Sequence, residues 1–139
     1  MRYLSVATSA AMLMLLAGCG ASSLPTVPSD LTSGIAIYED ANYNGGSALV
    51  TEDVKDLKDV KGPCPQSSGD GGTVENRWND CISSIRVSPG WRATLYVDDG
   101  FEGAQLEVTA DTPNLEHVAG GCSKGGFNDC VTAIRVFRP

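Results

Sequence analysis

Two six-residue stretches could do chemistry: Asn79-Asp80-Cys81-Ile82-Ser83-Ser84 and Asn128-Asp129-Cys130-Val131-Thr132-Ala133. Each sets an amide, a carboxylate and, three residues after the carboxylate, a hydroxyl ahead of an alternating apolar run. Side-chain oxygens of these kinds, with backbone carbonyls and water, can supply the six to eight ligands that a hard cation such as calcium takes. A single Asn-Asp pair would read as turn chemistry, because both residues satisfy turn backbones well. Its repetition, with the hydroxyl at the same distance, leaves both readings open.

Other chemistries find little support. His117 is the only histidine, so a Ser-His-Asp or Cys-His arrangement would have to be built around it. In Asn-Leu-Glu-His-Val-Ala-Gly it reads as a surface or partly packed residue. The cysteines form no C-x-x-C pair and no zinc-ligand spacing, which argues against redox catalysis and zinc. Trp91 opens a strand and reads as core. Trp78, beside Asn79 in a long loop, reads as a hairpin cover, with a binding aromatic as the alternative. No catalytic constellation emerges, and the chain reads as non-enzymatic.

The elements that must position these oxygens are strands. Residues 34–40, 47–53, 81–88, 91–99, 104–110 and 130–137 are short alternating stretches bounded by Gly, Pro, Asn or Asp, the rhythm of an all-β sandwich. No amphipathic helix is evident; residues 51–60 allow one short helical turn. The chain also repeats itself. Residues 37–46 align with 95–104 at an offset of 58, and the two Asn-Asp-Cys stretches at an offset of 49. Cys64 and Cys122 share the first offset, Cys81 and Cys130 the second, so the nine extra residues of the first repeat lie in the loop 65–78. Of the three pairings open to these four cysteines, the repeat selects Cys64–Cys81 and Cys122–Cys130. Each bridge is worth about 2–4 kcal/mol.

The N-terminus sets the compartment. Residues 1–18 carry Arg2 and then an apolar run too short to span a bilayer, and they read as an export signal. Leu16-Ala17-Gly18-Cys19 resembles a bacterial lipobox, which implies a lipidated Cys19 as membrane anchor and accounts for the fifth, odd cysteine. Gly20, in place of an acidic residue, favours the outer membrane in a Gram-negative cell. The expected location is the cell envelope, in an oxidising compartment that permits disulfides. Residues 19–33 are small, polar and proline-bearing, and read as the lipidated cysteine and a flexible tether reaching roughly 20 Å. Residues 34–139 then form one domain. Removing the signal removes only Arg2, leaving 9 Lys+Arg against 17 Asp+Glu, a net charge of −8. Such a chain repels phosphate backbones and disfavours nucleic-acid binding.

These residues resemble the βγ-crystallins. The Greek-key pattern of that family is aromatic, four residues, aromatic, any residue, glycine. It stands here as Tyr38 to Tyr43 to Gly45 and again as Tyr96 to Phe101 to Gly103. In microbial members a second signature, Asn/Asp-Asn/Asp-X-X-Ser/Thr-Ser, binds calcium. Residues 79–84 match it throughout, and residues 128–133 match through Thr132 and depart at Ala133. The resemblance covers 34–139 and implies a sandwich of two Greek-key motifs, 34–89 and 90–139, with about eight strands. It also implies two Ca2+ sites that mix ligands from both motifs: Asp80 with Thr132, and Asp129 with Ser83. Asn79 and Asn128 would support them, with the carbonyls of Glu39 and Val97 completing the shells. The sixth signature position fits a hydrogen-bonding support for the loop, so Ala133 should weaken one site more than abolish it.

Three functional classes follow. The first is an envelope-anchored calcium-binding domain, non-enzymatic, in which Ca2+ stabilises the paired motifs. The second is a proteinase inhibitor with loop 65–78 as its reactive loop. The third is a cell-wall or carbohydrate-binding module using Trp78.

Overall fold

A computed structural model describes residues 21–67, 75–122 and 126–139. The expected export signal 1–18 and Cys19 lie outside the described residues, as do residues 68–74 of the proposed reactive loop. The strands are β1 (Ser22–Ser23), β2 (Ile35–Asp40), β3 (Asn44–Val50), β4 (Val60–Pro65), β5 (Asn76–Arg77), β6 (Ser84–Val87), β7 (Arg92–Asp98), β8 (Glu102–Val108) and β9 (Ala133–Phe137). The fold is all-β, as the alternation predicts.

The central strands are the most apolar. Ile35, Ala36, Ile37 and Tyr38 of β2 are all buried, because β2 is flanked on both edges and covered on both faces. It pairs antiparallel with β3 and β6, giving the order β3-β2-β6. The second motif repeats this as β8-β7-β9. After each hairpin the chain crosses to the other motif's sheet. Val54 of the first motif exchanges backbone hydrogen bonds with Ile134 of β9, at 2.8 and 2.9 Å, and Thr112 of the second does so with Ile85 of β6, at 2.8 and 3.0 Å. Each sheet is thus completed by a segment of the opposite motif, and the two motifs cannot separate without opening both.

One core lies between them. Ile35, Ile37, Val50, Leu57, Ile82 and Ile85 of the first motif meet Leu95, Leu115, Phe127, Val131 and Ile134 of the second. Burying a side chain of this size stabilises by about 1.5–3 kcal/mol. Leu57 and Leu115 enter this core from equivalent short 3-10 turns, Leu57–Asp59 and Leu115–His117. Asp56 and Asn114 cap these turns by accepting from the Lys58 and Glu116 amides, both at 2.9 Å. The first turn falls inside the 51–60 stretch that allowed one. His117 is exposed at the end of the second.

Each β-hairpin folds over on an aromatic pair. Tyr38 meets Tyr43 edge to face with ring centroids 5.7 Å apart, and Tyr96 meets Phe101 at the same distance. Tyr43 and Phe101 take φ values of 63° and 67°, a left-handed backbone that aromatic residues rarely adopt. A guanidinium holds each ring from its open side: Arg86 lies 4.3 Å from the Tyr43 centroid and Arg135 4.2 Å from that of Phe101. Burial lifts the Tyr43 hydroxyl above the usual tyrosine range, with Asp111 adding to the shift and Arg86 opposing it. The glycine that ends the pattern is required by its conformation: Gly45 has φ 75°, and a Cβ there would meet Asp40 Oδ2 at 2.7 Å.

Among the described residues there are nine strands, in line with the eight or so expected, and β1 and β5 flank β4 in a third small sheet, β1-β4-β5. Within the stretch 19–33, β1 runs parallel to β4, the Leu49 amide donates to the Pro25 carbonyl at 2.8 Å, and Leu24 packs against the core. Backbone pairing of this kind needs no apolar alternation, so composition does not reveal it. Trp78 is a core residue, 3% exposed, and does not present a binding face. Trp91 is half-buried at the core's edge, just ahead of β7, with Arg138 over its ring.

Candidate cation site between the motifs

The repeated signatures sit where the two motifs cross. Trp78 and Phe127, the aromatics directly before each Asn-Asp, are both buried in the core and anchor the two loops from below. Asp80 and Asp129 both have φ 51°, a left-handed conformation that aspartate tolerates better than most residues. The loops then bond each other reciprocally. The Asp80 amide donates to the Val131 carbonyl and the Asp129 amide to the Ile82 carbonyl, both at 3.2 Å.

The same pseudo-twofold relation fixes the hydroxyl residues. The Ser83 amide donates to the Tyr38 carbonyl at 2.9 Å, and that of Thr132 to the Tyr96 carbonyl at 2.8 Å. From the opposite motif, the Leu115 amide donates to the Ser83 carbonyl at 2.9 Å and the Leu57 amide to the Thr132 carbonyl at 2.7 Å. Ser83 and Thr132 are therefore buried and held on both sides of their backbones, while Asp80 and Asp129 are exposed. The hydroxyl residues are thus fixed through their backbones while the carboxylates stay accessible.

Across the motifs, Ser83 Oγ donates to Asp129 Oδ1 at 3.3 Å. These two residues line a surface cavity of about 500 Å³ together with Glu39, Asp40, Asp80 and Cys64. Asn79 and Asn128 brace the neighbouring carboxylates: their amide nitrogens donate to Asp80 Oδ2 at 2.8 Å and to Asp129 Oδ2 at 2.7 Å. Glu39 Oε2 accepts from the Gly46 amide at 2.9 Å, which holds that side chain along the hairpin. On the second side, Asp80 is bonded to the residue before Thr132, and Val97 occupies the position equivalent to Glu39 without a carboxylate.

The donor set suits a hard cation. The side chains that line the cavity bring carboxylate and hydroxyl oxygens, and Asn79 Oδ1, next to Asp80 in the chain, is buried without a hydrogen-bond donor. Among the described residues no three Asp, Glu, His or Cys side chains converge closely enough to chelate an ion by themselves. An ion here would be held by carboxylates supplemented with hydroxyl and backbone oxygens.

The final signature position has a structural task. Ser84 is fully buried; its Oγ donates to the Asp40 carbonyl at 2.6 Å and accepts from the Tyr43 amide at 2.9 Å. It clamps the folded hairpin. Ala133 supplies no such hydroxyl to the second hairpin.

Disulfides join Cys64 to Cys81 and Cys122 to Cys130, with Cα separations of 5.8 and 6.1 Å. Each bridge ends on the residue immediately after Asp80 or Asp129. Sequence reasoning missed the two arginines that support the aromatic corners and the shared role of Trp78 and Phe127. Both are visible as matches at the offset of 49, in the repeated Ile-Arg-Val and in the aromatic before each Asn-Asp.

Comparison with known proteins agrees with this geometry. Residues 37–109 match the family described as peptidase inhibitor family I36. Development-specific protein S of Myxococcus xanthus is 43% identical over 58 residues, covering 42% of this chain and 28% of that protein. The match thus spans little more than a quarter of that relative's length. A βγ-crystallin domain from Flavobacterium johnsoniae is similar at 32% identity and a TM-score of 0.50, over 75% of this chain and 93% of that one. The N-terminal domain of protein S is similar at 26% identity and a TM-score of 0.53, over 76% of this chain and 97% of that domain. With two paired Greek-key motifs and these likenesses, the chain belongs to the βγ-crystallin family and, over residues 37–109, to peptidase inhibitor family I36.

Proposed function

We propose that this chain is a non-enzymatic calcium-binding domain of the cell envelope, anchored through a lipid on Cys19, in which Ca2+ ties the two Greek-key motifs together. The observation that carries the reading is the contact of Ser83 in one motif with Asp129 in the other, on the wall of an acidic cavity. Ser83 Oγ, the Asp129 carboxylate and the Glu39 carbonyl would hold one ion. Thr132, Asp80 and the Val97 carbonyl would hold the second. When bound, the ion supplies an electrostatic crosslink between the motifs; the chain's own part is to fix the hydroxyl residues and present the carboxylates. Ligands drawn from two motifs make binding and folding one equilibrium, and the stabilisation follows RT ln(1 + [Ca2+]/Kd), about 2.7 kcal/mol at a hundredfold excess over Kd. Calcium titration with calorimetry, in parallel with melting, tests the reading.

A second reading rests on the family match over residues 37–109. The loop 65–78, pinned at its ends by Cys64–Cys81, would act as the reactive loop of a peptidase inhibitor. Inhibition assays against a panel of serine, cysteine and metallopeptidases, with and without loop deletion, test it. Loss of inhibition on deletion, with calcium binding retained, would favour this reading over the first.

A further inference from the structure

We infer that the Cys64–Cys81 disulfide is a positioning element for the cation site between Ser83 and Asp129, so that reduction of the bridge and calcium binding oppose each other. The inference rests on the calcium reading above and deepens it. Cys81 stands between Asp80, which must keep a left-handed backbone, and Ser83, which lines the cavity. Its partner Cys64 belongs to β4 and lines the same cavity as Glu39, Asp80, Ser83 and Asp129. The bridge therefore fastens the Asn79–Ser83 loop to a paired strand directly beside the ion's position. Without it, Trp78 stays buried with its amide on the Val60 carbonyl, and Ser83 keeps its backbone bonds to Tyr38 and Leu115, but the Asp80–Cys81 segment between them loses its covalent hold on β4. Fixing that segment then falls in part to the cation, and affinity drops by the fraction of molecules already in the binding geometry.

The bridge is open to attack from one side only. Cys64 is half-buried, and Cys81 is 0% exposed. A thiolate of a dithiol would attack Cys64 Sγ, forming a mixed disulfide and releasing Cys81 as a thiolate that takes a proton. The second thiol of the reagent, losing its proton, then displaces Cys64, which is protonated in turn. Two electrons and two protons pass to the protein, and the dithiol becomes a cyclic disulfide. Because linkage is reciprocal, whatever factor the bridge adds to calcium affinity, calcium adds to the bridge's resistance to reduction.

The test uses the mature chain from residue 19 with Cys19→Ser. The protein is equilibrated in dithiothreitol redox buffers with saturating Ca2+, with Mg2+ or with chelator, and the Cys64–Cys81 thiols are counted by alkylation and mass spectrometry. In parallel, Ca2+ affinity is measured for the oxidised protein and for Cys64→Ala/Cys81→Ala. The expected result is affinity weakened about tenfold in the variant and a midpoint moved about 30 mV more reducing by Ca2+. If the variant does not fold, the redox arm on the unaltered bridge decides alone. Calcium binding to the oxidised protein with an unchanged midpoint would overturn this inference and leave the calcium reading standing. No calcium binding to the oxidised protein would overturn both.

Discussion

Replacing Ser84 with alanine should destabilise the domain through the first hairpin while leaving the candidate cation site in place. The hydroxyl is buried and bridges two backbone groups, donating to Asp40 at 2.6 Å and accepting from Tyr43 at 2.9 Å. A net contribution of about 1 kcal/mol per hydrogen bond gives a loss of about 2 kcal/mol, since the methyl that remains opens almost no cavity. The Tyr43 amide belongs to a residue at φ 63°, preceded by Asn42 at 58°, and two successive left-handed residues persist only while their surroundings hold them. In a domain of this size 2 kcal/mol corresponds to a fall in Tm of about 10 °C. Urea and thermal unfolding in chelator, which removes any cation contribution, would measure it. The second motif supplies the reverse experiment: Ala133→Ser should add a clamp that the native hairpin lacks and raise stability by about 1 kcal/mol. An unchanged midpoint for Ser84→Ala, or a loss of calcium affinity larger than its loss of stability, would refute the assignment of this position to the hairpin.

Other perturbations separate the site from its supports. Ser83→Ala and Asp129→Ala should each lower calcium affinity at least tenfold, and the double variant should fall well short of the sum, because both remove one cross-motif site; additivity in titration calorimetry would show that they serve different sites. Trp78→Ala should cost about 3–5 kcal/mol in urea unfolding despite its place beside a long loop, because its side chain fills the shared core. Arg86→Ala and Arg135→Ala should each lower stability by about 0.5–1 kcal/mol by removing the cation over Tyr43 or Phe101, with calcium affinity in the folded protein unchanged.

Much of this architecture was legible because the chain states it twice. Strand alternation located β2, β3 and β6 to β9 to within a few residues, and the two offsets paired the cysteines before any contact was known. The aromatic-to-glycine pattern identified both folded hairpins. What escaped the sequence has particular causes. The strand β4 carries Pro63 and Pro65, which argue against a strand; it is tolerated because its register with β5 breaks between Lys61 and Cys64. The docking of Ser22–Pro25 is made by main-chain groups that leave no mark on composition. Trp78 looked like a loop residue because its own surroundings are glycine-rich and polar, whereas the equivalent Phe127 shows the position to be an anchor. The crossing of Val54 and Thr112 onto the opposite sheets is carried by backbone pairing between segments far apart in the chain. No local periodicity encodes it, yet it brings Ser83 to Asp129.

The central claim is that the repeated Asn-Asp signatures bind calcium between the motifs. The most direct measurement is a calorimetric Ca2+ titration of chelator-stripped mature chain carrying Cys19→Ser, with melting followed in the same samples. The account predicts two unequal binding events and a Tm that rises with calcium. No binding heat together with an unchanged Tm would contradict it and leave the two signatures as turn and hairpin supports.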